Sequence, residues 1–497
     1  MRVALMNLRK QLFTKALVAS LVLLLGLIVP VVQATATRQY FTRYESYTYN
    51  TDREMIPAPE AYTLERSVNA NVLGVSSLPT MQDVFVTDDR IYIAASNAIH
   101  ITDWDFNLID SITEFEIDDG TDVIRDPAGL FVDDNGNIYV TDPSRQRILL
   151  FGADLQLLRA MGKPNAVGLE DVAYEPLEIT VDQVGRMFVV VRNVYEGIME
   201  LAPTGDFTRF YGVNNVTFNP LELFWRSIAT ETQRERMALW LPTDFSNVSI
   251  NEDGFVYATI QSGSESEPIK LLNSLGQDIL RYPQRMRPAG DYEDRGGSSS
   301  FIAIDNNEYG SYVALDRTKN RIFTYNHDGY LLYIFGGQGN IEGTFQNPVD
   351  VKFMGDRILV VDSLAQSIEV FRPTLYGEAI NAAVAADQTN NPDDAAVLWA
   401  GVAEMNPQFD LAYISMGDAA YRQGEFDAAL ENYRLGDYRT GYSDAFEQVR
   451  SNWLDNNITL VLFILLLIVL LLTWSLIIKP ALARRQERIA ERKKGVR

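Results

Sequence analysis

Three aspartates recur at one place in a repeated phrase: Asp142, Asp316 and Asp362 each follow directly on an apolar run. Arg147 and Arg321 lie five residues beyond the first two of them. Carboxylates at a repeated position could gather around a cation. An aspartate at a strand end also accepts hydrogen bonds from the turn after it, and that structural reading is the stronger one here. The two arginines are then expected to pair with carboxylates of their own or a neighbouring repeat. Further oxygen donors stand at Asp133, Asn137, Asp182 and Asp305, but no spacing singles them out as ligands. The chain has no cysteine, so thiolate nucleophiles, disulfides and cysteine metal sites are excluded. Its two histidines, His100 and His327, are too few for a histidine metal cluster. No G-x-S-x-G, Walker-type loop or H-E-x-x-H occurs. No catalytic residue and no resident cofactor is therefore assigned.

The elements that carry these residues are read from the stretch Asp126–Gly162, DPAGLFVDDNGNIYVTDPSRQRILLFGADLQLLRAMG. It holds four short apolar runs, separated by Asp-Asn-Gly-Asn, Asp-Pro-Ser and Gly-Ala-Asp, which turn easily. Four short strands in a meander make one blade of a propeller. The phrase returns at Phe301–Gly336 and Pro348–Phe371, and more loosely at Pro79–Ile112, Pro176–Gly212 and Pro242–Tyr282. In the loose copies Ala95, Val191 and Ile260 replace the aspartate. A fixed-period repeat outranks any local motif in deciding a fold, and the count here is six. The last copy supplies three strands only. A circular array must hide its edges, so AYTLERSV (61–68) is expected to close the last blade as its outer strand.

The pattern P-x-x-hydrophobic-x-(V/I)-D, then G-N-I-Y-V-x-D, then N-R-I, resembles the NHL-repeat β-propellers over roughly Pro79–Phe371. The resemblance implies a mainly β, six-bladed propeller spanning 61–375. It does not imply an activity, since propellers host many. Some six-bladed propellers similar to gluconolactonases hold a divalent cation on the channel axis. That likeness implies an alternative reading, a lactonase-like hydrolase dependent on calcium or magnesium.

Downstream the apolar period changes from two to about 3.6. Residues 376–452 read as helices, and A-Y-x-x-x-G-D-A-A-Y-x-x-G-x-F-D-x-A-L-x-x-Y from Ala412 to Tyr433 resembles a tetratricopeptide repeat. Tyr413, Tyr421 and Tyr433 on these helices, with Arg285 and Arg287 on the Gly- and Ser-rich loop 285–300, are the candidate partner-binding residues. That loop shows no periodicity and is expected to be mobile. Leu221–Leu241 alternates apolar and charged residues as an amphipathic helix inserted between blades would.

Two segments bear on location. Residues 1–36 combine basic residues, the apolar run Ala16–Val32 and a small-residue Ala34-Thr35-Ala36 site, as an export signal or an N-terminal anchor does. Residues 37–60 form a stem, either a surface segment or a brace packed on the propeller. Ile458–Ile478 is uncharged for 21 residues, which at 1.5 Å per residue gives about 31 Å, the thickness of a bilayer core. A membrane helix is expected at 456–478. The tail 479–497 carries eight basic residues against Glu487 and Glu491 and is expected in the cytoplasm. Setting aside the four basic residues before position 37 and the tail's excess of six, the −23 of the whole chain becomes −33 for the stretch between. Such a charge repels nucleic acid. The expected protein is thus single-pass, with propeller and helices outside the cell membrane, and serves as an interaction scaffold for another membrane or exported protein. The whole arrangement resembles bacterial surface proteins, some of them associated with transport systems.

Overall fold

The structure is a computed structural model. Its described residues run from 46 to 494, apart from 96, 118–119, 166–168, 170–172, 213–244, 262–266, 284–285, 293–297, 342 and 390. The segment 1–36, the expected helix Leu221–Leu241 and Arg285 lie outside them.

Six antiparallel sheets stand around a common axis among the described residues. Blade 1 opens with the inner strand Asp83–Val86, and blades 2 to 6 open with Leu130–Val132, Pro176–Val181, Phe245–Ile250, Phe301–Asn306 and Pro348–Met354. The turn after each inner strand explains the regular spacing. In blade 2, Asp133 accepts hydrogen bonds from the backbone N–H of Asn135 and Asn137 at 2.9 and 2.8 Å, and Gly136 takes φ 79°. Asp182, Asn251 and Asn307 do the same for blades 3, 4 and 5. A side-chain acceptor at the first position and a glycine at the fourth define this turn, and both are sequence choices. Apolar side chains fill the spaces between blades, for instance Val132, Ile138, Val140 and Leu149 at the junction of blades 1 and 2.

Blade 4 departs from the expected pattern. It shows three strands, ending at Ile269–Leu272, because the chain leaves the sheet after a single bridge between Leu272 and Asp278. A further hairpin, Glu114–Ile117 with Gly120–Val123, stands between blades 1 and 2. The last blade takes its fourth strand from the N-terminal side: Tyr62–Asn69 pairs antiparallel with Ser367–Pro373. The described part of the stem is a brace. Tyr47–Tyr49 and Met55–Pro57 form a hairpin whose Tyr47 and Tyr49 are buried against Tyr312, Phe323 and Tyr325 of blade 5. The loop that follows blade 4 is pinned to this brace. Asp291 accepts hydrogen bonds from Tyr47 (2.7 Å) and Tyr49 and pairs with Lys319 at 2.7 Å, so the loop is tied to the brace and to blade 5 at this residue.

Four helices follow the propeller, Leu375–Gln388, Pro392–Met405, Asp410–Arg422 and Phe426–Leu435. The first is fused to the closing strand. Thr374 caps it, its hydroxyl accepting from Gly377 N–H at 3.3 Å and donating to the Glu60 carbonyl at 2.6 Å. Asn381 bridges the two units, accepting from the Tyr333 hydroxyl at 3.0 Å and donating to that of Tyr62 at 2.9 Å. Trp399 is 1% exposed in a core that also contains Phe335, Phe371 and Tyr376. The next helix, Arg439–Thr473, runs without interruption from the helical segment into the apolar stretch. It is the one candidate membrane span among the described residues. A π-helical turn, Trp474–Ile478, leads from it into the basic helix Lys479–Lys494.

A β-carbon placed on Gly377 would lie 2.1 Å from the Ala61 carbonyl oxygen. We therefore expect Gly377→Ala to force the first helix off the closing strand and to cost about 1–3 kcal/mol, the usual penalty of overpacking. Urea denaturation of the purified protein measures this, and an unchanged midpoint would contradict the tight junction.

Candidate functional site in the propeller channel

The inner strands bring side chains from different blades to the channel axis. Their register with the second strands fixes two rings. Phe85, Phe131, Thr180, Ser249, Asp305 and Lys352 sit opposite Tyr92, Tyr139, Phe188, Tyr257, Val313 and Leu359. Two residues earlier along each strand stand Asp83, Gly129, Glu178, Asn247, Ala303 and Asp350. Several of these side chains tie one inner strand to the next. Asp350 accepts from Val84 N–H at 3.1 Å, Asp83 from Leu130 N–H at 2.6 Å, Asn247 from Ile304 N–H at 3.3 Å, and Asp305 from Phe353 N–H at 2.9 Å. Gly129 is the member of the ring where a side chain has no room: a β-carbon there would lie 2.6 Å from the Leu177 carbonyl oxygen.

At the axis one ammonium faces four carboxyls. Lys352 Nζ lies 3.3 Å from Asp350 and 3.8 Å from Asp83, and Asp305 of the neighbouring blade 5 and Glu178 of blade 3 also act on it. Burial alone would drive that ammonium to give up its proton, and the surrounding carboxyls reverse this, holding its pKa above the ordinary lysine value. Charge balance favours protonated acids. Burial and the neighbouring Asp350 and Glu178 push Asp83 well above the usual carboxylate range. Burial and Asp350 push Glu178 up to about 8, against the pull of Lys352. Asp305 is raised by burial too. Such a cluster can hold a proton near neutral pH and exchange it for another cation.

The channel encloses a cavity of about 210 Å³ lined by Asp83, Glu178, Thr180, Ser249, Asp305 and Lys352 among others. It meets a wider mouth of about 1090 Å³ at Phe85, Val86, Phe131 and Ile250. Asp88, Asp89, Asp133, Asp134, Asp182 and Glu252 line that mouth, with Arg90. A second cleft, about 650 Å³, runs between the brace, blade 5 and the helices, with Tyr49, Met286, Tyr330, Ile414 and Tyr438 on its walls.

The residues singled out in the sequence are dispersed. Asp142 pairs with Arg147 at 3.0 Å and accepts from the Ser144 hydroxyl at 3.0 Å. Asp316 accepts from Ser300 N–H, Thr318 N–H and the Ser299 hydroxyl. Asp362 accepts from the N–H groups of Gln346, Asn347, Leu364 and Ala365. All three sit at the strand ends opposite the acidic mouth, each serving its own blade's turn. Arg147 also pairs with Asp122 of the additional hairpin at 2.6 Å, whereas Arg321 lies over the Tyr47 ring, 4.6 Å from its centroid. Among the four oxygen donors, Asp305 reaches the channel cavity, Asp133 and Asp182 hold turns at the mouth, and Asn137 donates to Asp133 at 2.9 Å. Burial lowers the pKa of His100, whose ring lies 2.8 Å from the Ser111 hydroxyl, and His327 lies 3.0 Å from Asp328. Tyr413 packs against the core shared with the propeller, Tyr421 meets Phe426 edge-on, and Tyr433 is buried with its hydroxyl on Asp418 at 2.7 Å. Arg287 pairs with Glu267 and lies over Tyr282.

Asp83, Glu178, Asn247, Asp350 and Lys352 were not singled out by sequence. A usable signal existed in VDVKF (349–353), where two charged residues alternate with apolar ones inside a strand whose neighbours in the fold are all covered.

No protein-family model matches the sequence, and no curated protein does. Solved structures of similar fold include virginiamycin B lyase from Staphylococcus aureus, 13% identical, with a TM-score of 0.40 over 63% of this chain and 99% of that one. A structural-genomics protein of unknown function from Bacteroides thetaiotaomicron is 12% identical, with a TM-score of 0.40 over 65% and 80%. The extracellular domain of a putative one-component system from B. thetaiotaomicron is 12% identical, with a TM-score of 0.34 over 59% and 33%. Similarity of this degree says nothing about what the present chain binds or does.

The channel acids give a pH dependence of known sign. Glu178 holds its proton up to about pH 8 in the folded state, but only to about 4.3 when unfolded. Its stabilising contribution is therefore complete below about pH 4 and is lost as pH rises through about 8. Glu178→Gln is expected to flatten the fall of melting temperature with pH over that window, leaving the part due to Asp83. Lys352→Met should act in the opposite sense. It leaves Asp83 and Asp350 buried without their cation, at a cost of about 3–5 kcal/mol. Calorimetric melting from pH 5 to 9 checks both, and parallel curves for parent and E178Q would remove Glu178 from the cluster.

Proposed function

We propose that the chain is an exported, membrane-tethered scaffold. In this reading its NHL-type propeller and tetratricopeptide-like helices present binding surfaces to another membrane or exported protein. The observation that carries the reading is the way the units are joined. Asn381 and the Trp399 core fix the helices to the last two blades, and the helix Arg439–Thr473 continues from them into the apolar stretch. A platform held rigidly on a membrane helix suits the positioning of partners. Within the helical segment, Gly417 lets the Tyr433 ring approach to where a β-carbon would stand 2.6 Å away, the close contact that paired repeat helices need. Residues 1–36 act in this reading as the export signal, and the basic tail stays in the cytoplasm.

The lactonase-like alternative needs a divalent cation among oxygen ligands on the axis. A divalent ion needs several carboxylates as direct ligands, but Asp83 and Asp350 are already engaged by the Lys352 ammonium at 3.8 and 3.3 Å and by the backbone N–H groups of Leu130 and Val84. That supports binding over cation-dependent hydrolysis.

Protease added to intact spheroplasts tests the topology. Loss of the propeller and helices, with a small membrane-bound fragment ending in the basic tail left behind, is the expected result. Full protection would place the propeller on the other side. A chelator distinguishes the two activities. The purified chain is expected to keep its melting temperature in EDTA and to leave sugar lactones intact, and chelator-sensitive lactone turnover would reverse the assignment.

A further inference from the structure

We propose that the propeller channel is a binding site for an organic cation, a primary ammonium or guanidinium group that enters through the acidic mouth and lodges beside Thr180, Glu178 and Asp305. This goes beyond the scaffold reading and does not depend on it.

The first argument is an unmet hydrogen bond. Thr180 is 1% exposed, and its hydroxyl has no hydrogen-bond partner among the described residues. Five other buried side-chain atoms share that lack, on Thr48, Arg66, Tyr174, Tyr312 and Thr324, yet none of these residues lines the channel cavity. Thr180 does line it, at the register position that carries Asp305 and Lys352 in blades 5 and 6. A buried hydroxyl without a partner costs free energy, and a site that keeps one open is completed by what enters it.

The second argument is the chemistry around that hydroxyl. The cavity walls offer acceptors in excess: the carboxyls of Asp83, Glu178 and Asp305 stand against the single ammonium of Lys352. A complementary ligand brings donors and positive charge. Glu178 and Asp305 line the cavity and are only half-buried, so a ligand there can reach them. Phe85 and Phe131, packed edge to face at 5.1 Å, stand where cavity and mouth meet and can present ring faces to a cation passing between them. The acidic mouth raises the local concentration of cations in the same direction. An anion meets repulsion from the carboxylates of the mouth, and a neutral polyol gains nothing from them. The volume, about 210 Å³, suits a small amine or the end of a lysine or arginine side chain.

Isothermal titration calorimetry on the full-length chain in detergent, at low ionic strength, tests the site. The probes are putrescine, its neutral analogue 1,4-butanediol, and N-acetyl-lysinamide. Putrescine is expected to bind one to one and to raise the melting temperature, whereas 1,4-butanediol should do neither. Thr180→Val, which keeps the side-chain shape, and Glu178→Gln should each weaken putrescine at least tenfold. Binding of N-acetyl-lysinamide as well would support the site with a partner's basic side chain as the source, and binding of putrescine alone would support it with a free amine. Equal heats from 1,4-butanediol would overturn the proposal. So would putrescine binding unchanged in both variants, which would place the amine on the outer carboxylates. Displacement of putrescine by an equal concentration of calcium chloride would make the channel a metal site instead and would equally overturn it.

Discussion

A ring of sheets has to return to its own beginning, and here seven register pairs between Tyr62–Asn69 and Ser367–Pro373 accomplish it. Everything else is attached to that seam. Val68 and Ile368 on it belong to the core between blades 6 and 1, while Tyr62 and Phe371 belong to the core shared with the helices. The Ala61 carbonyl accepts from Thr374 N–H at 2.9 Å just where the first helix starts. Residues far apart in the chain are therefore held at one place by backbone pairing, and that pairing closes the ring. An open sheet of the same strands would expose two edges to other chains.

The channel shows what a closed ring does to charge. In an ordinary sheet the side chains of an edge strand reach water. Here six inner strands converge, so Asp83, Asp350 and Lys352 are covered although each stands at a strand edge. Some of their capacity goes into linking one blade to the next through backbone N–H groups, which is a structural task. The remainder is left facing a small cavity. Gly129 contributes in a different way, letting blades 2 and 3 approach where their neighbours are spaced by side chains.

Much of the fold was legible because each blade is local. Apolar alternation, the D-D-N-G-N turn of blade 2 and its relatives at Asp182 and Asn307 write the strands and turns directly into the sequence. Six copies then dictate a propeller. In blade 4 the stretch IKLLNSLGQDILRY has the composition of two strands, while tertiary context takes its second half out of the sheet. The anchoring of the loop after it at Asp291 was hidden for a related reason. Asp291 is an unremarkable loop residue until Tyr47, from the other end of the chain, is laid against it. The channel was the least legible part. Repetition drew notice to Asp142, Asp316 and Asp362, which repeat because every blade needs its turn held. The residues that meet on the axis do not repeat one type around the ring, since a ring of six identical charges would repel itself. A site of that kind is written once across the whole ring, and periodicity hides it.

The unbroken helix Arg439–Thr473 sets a height. Gly441 and Ala445 are buried against the helical segment, while the uncharged stretch begins at Ile458. The thirteen residues from Ala445 to Ile458 rise about 20 Å at 1.5 Å per residue. For a chain seated in a bilayer through this helix, the platform is carried on a short stiff post and does not swing on a tether. Its working volume is a thin layer parallel to the membrane, so a partner fixed in the same bilayer is met by lateral diffusion in two dimensions, at a local concentration that no dissolved molecule of equal abundance would reach.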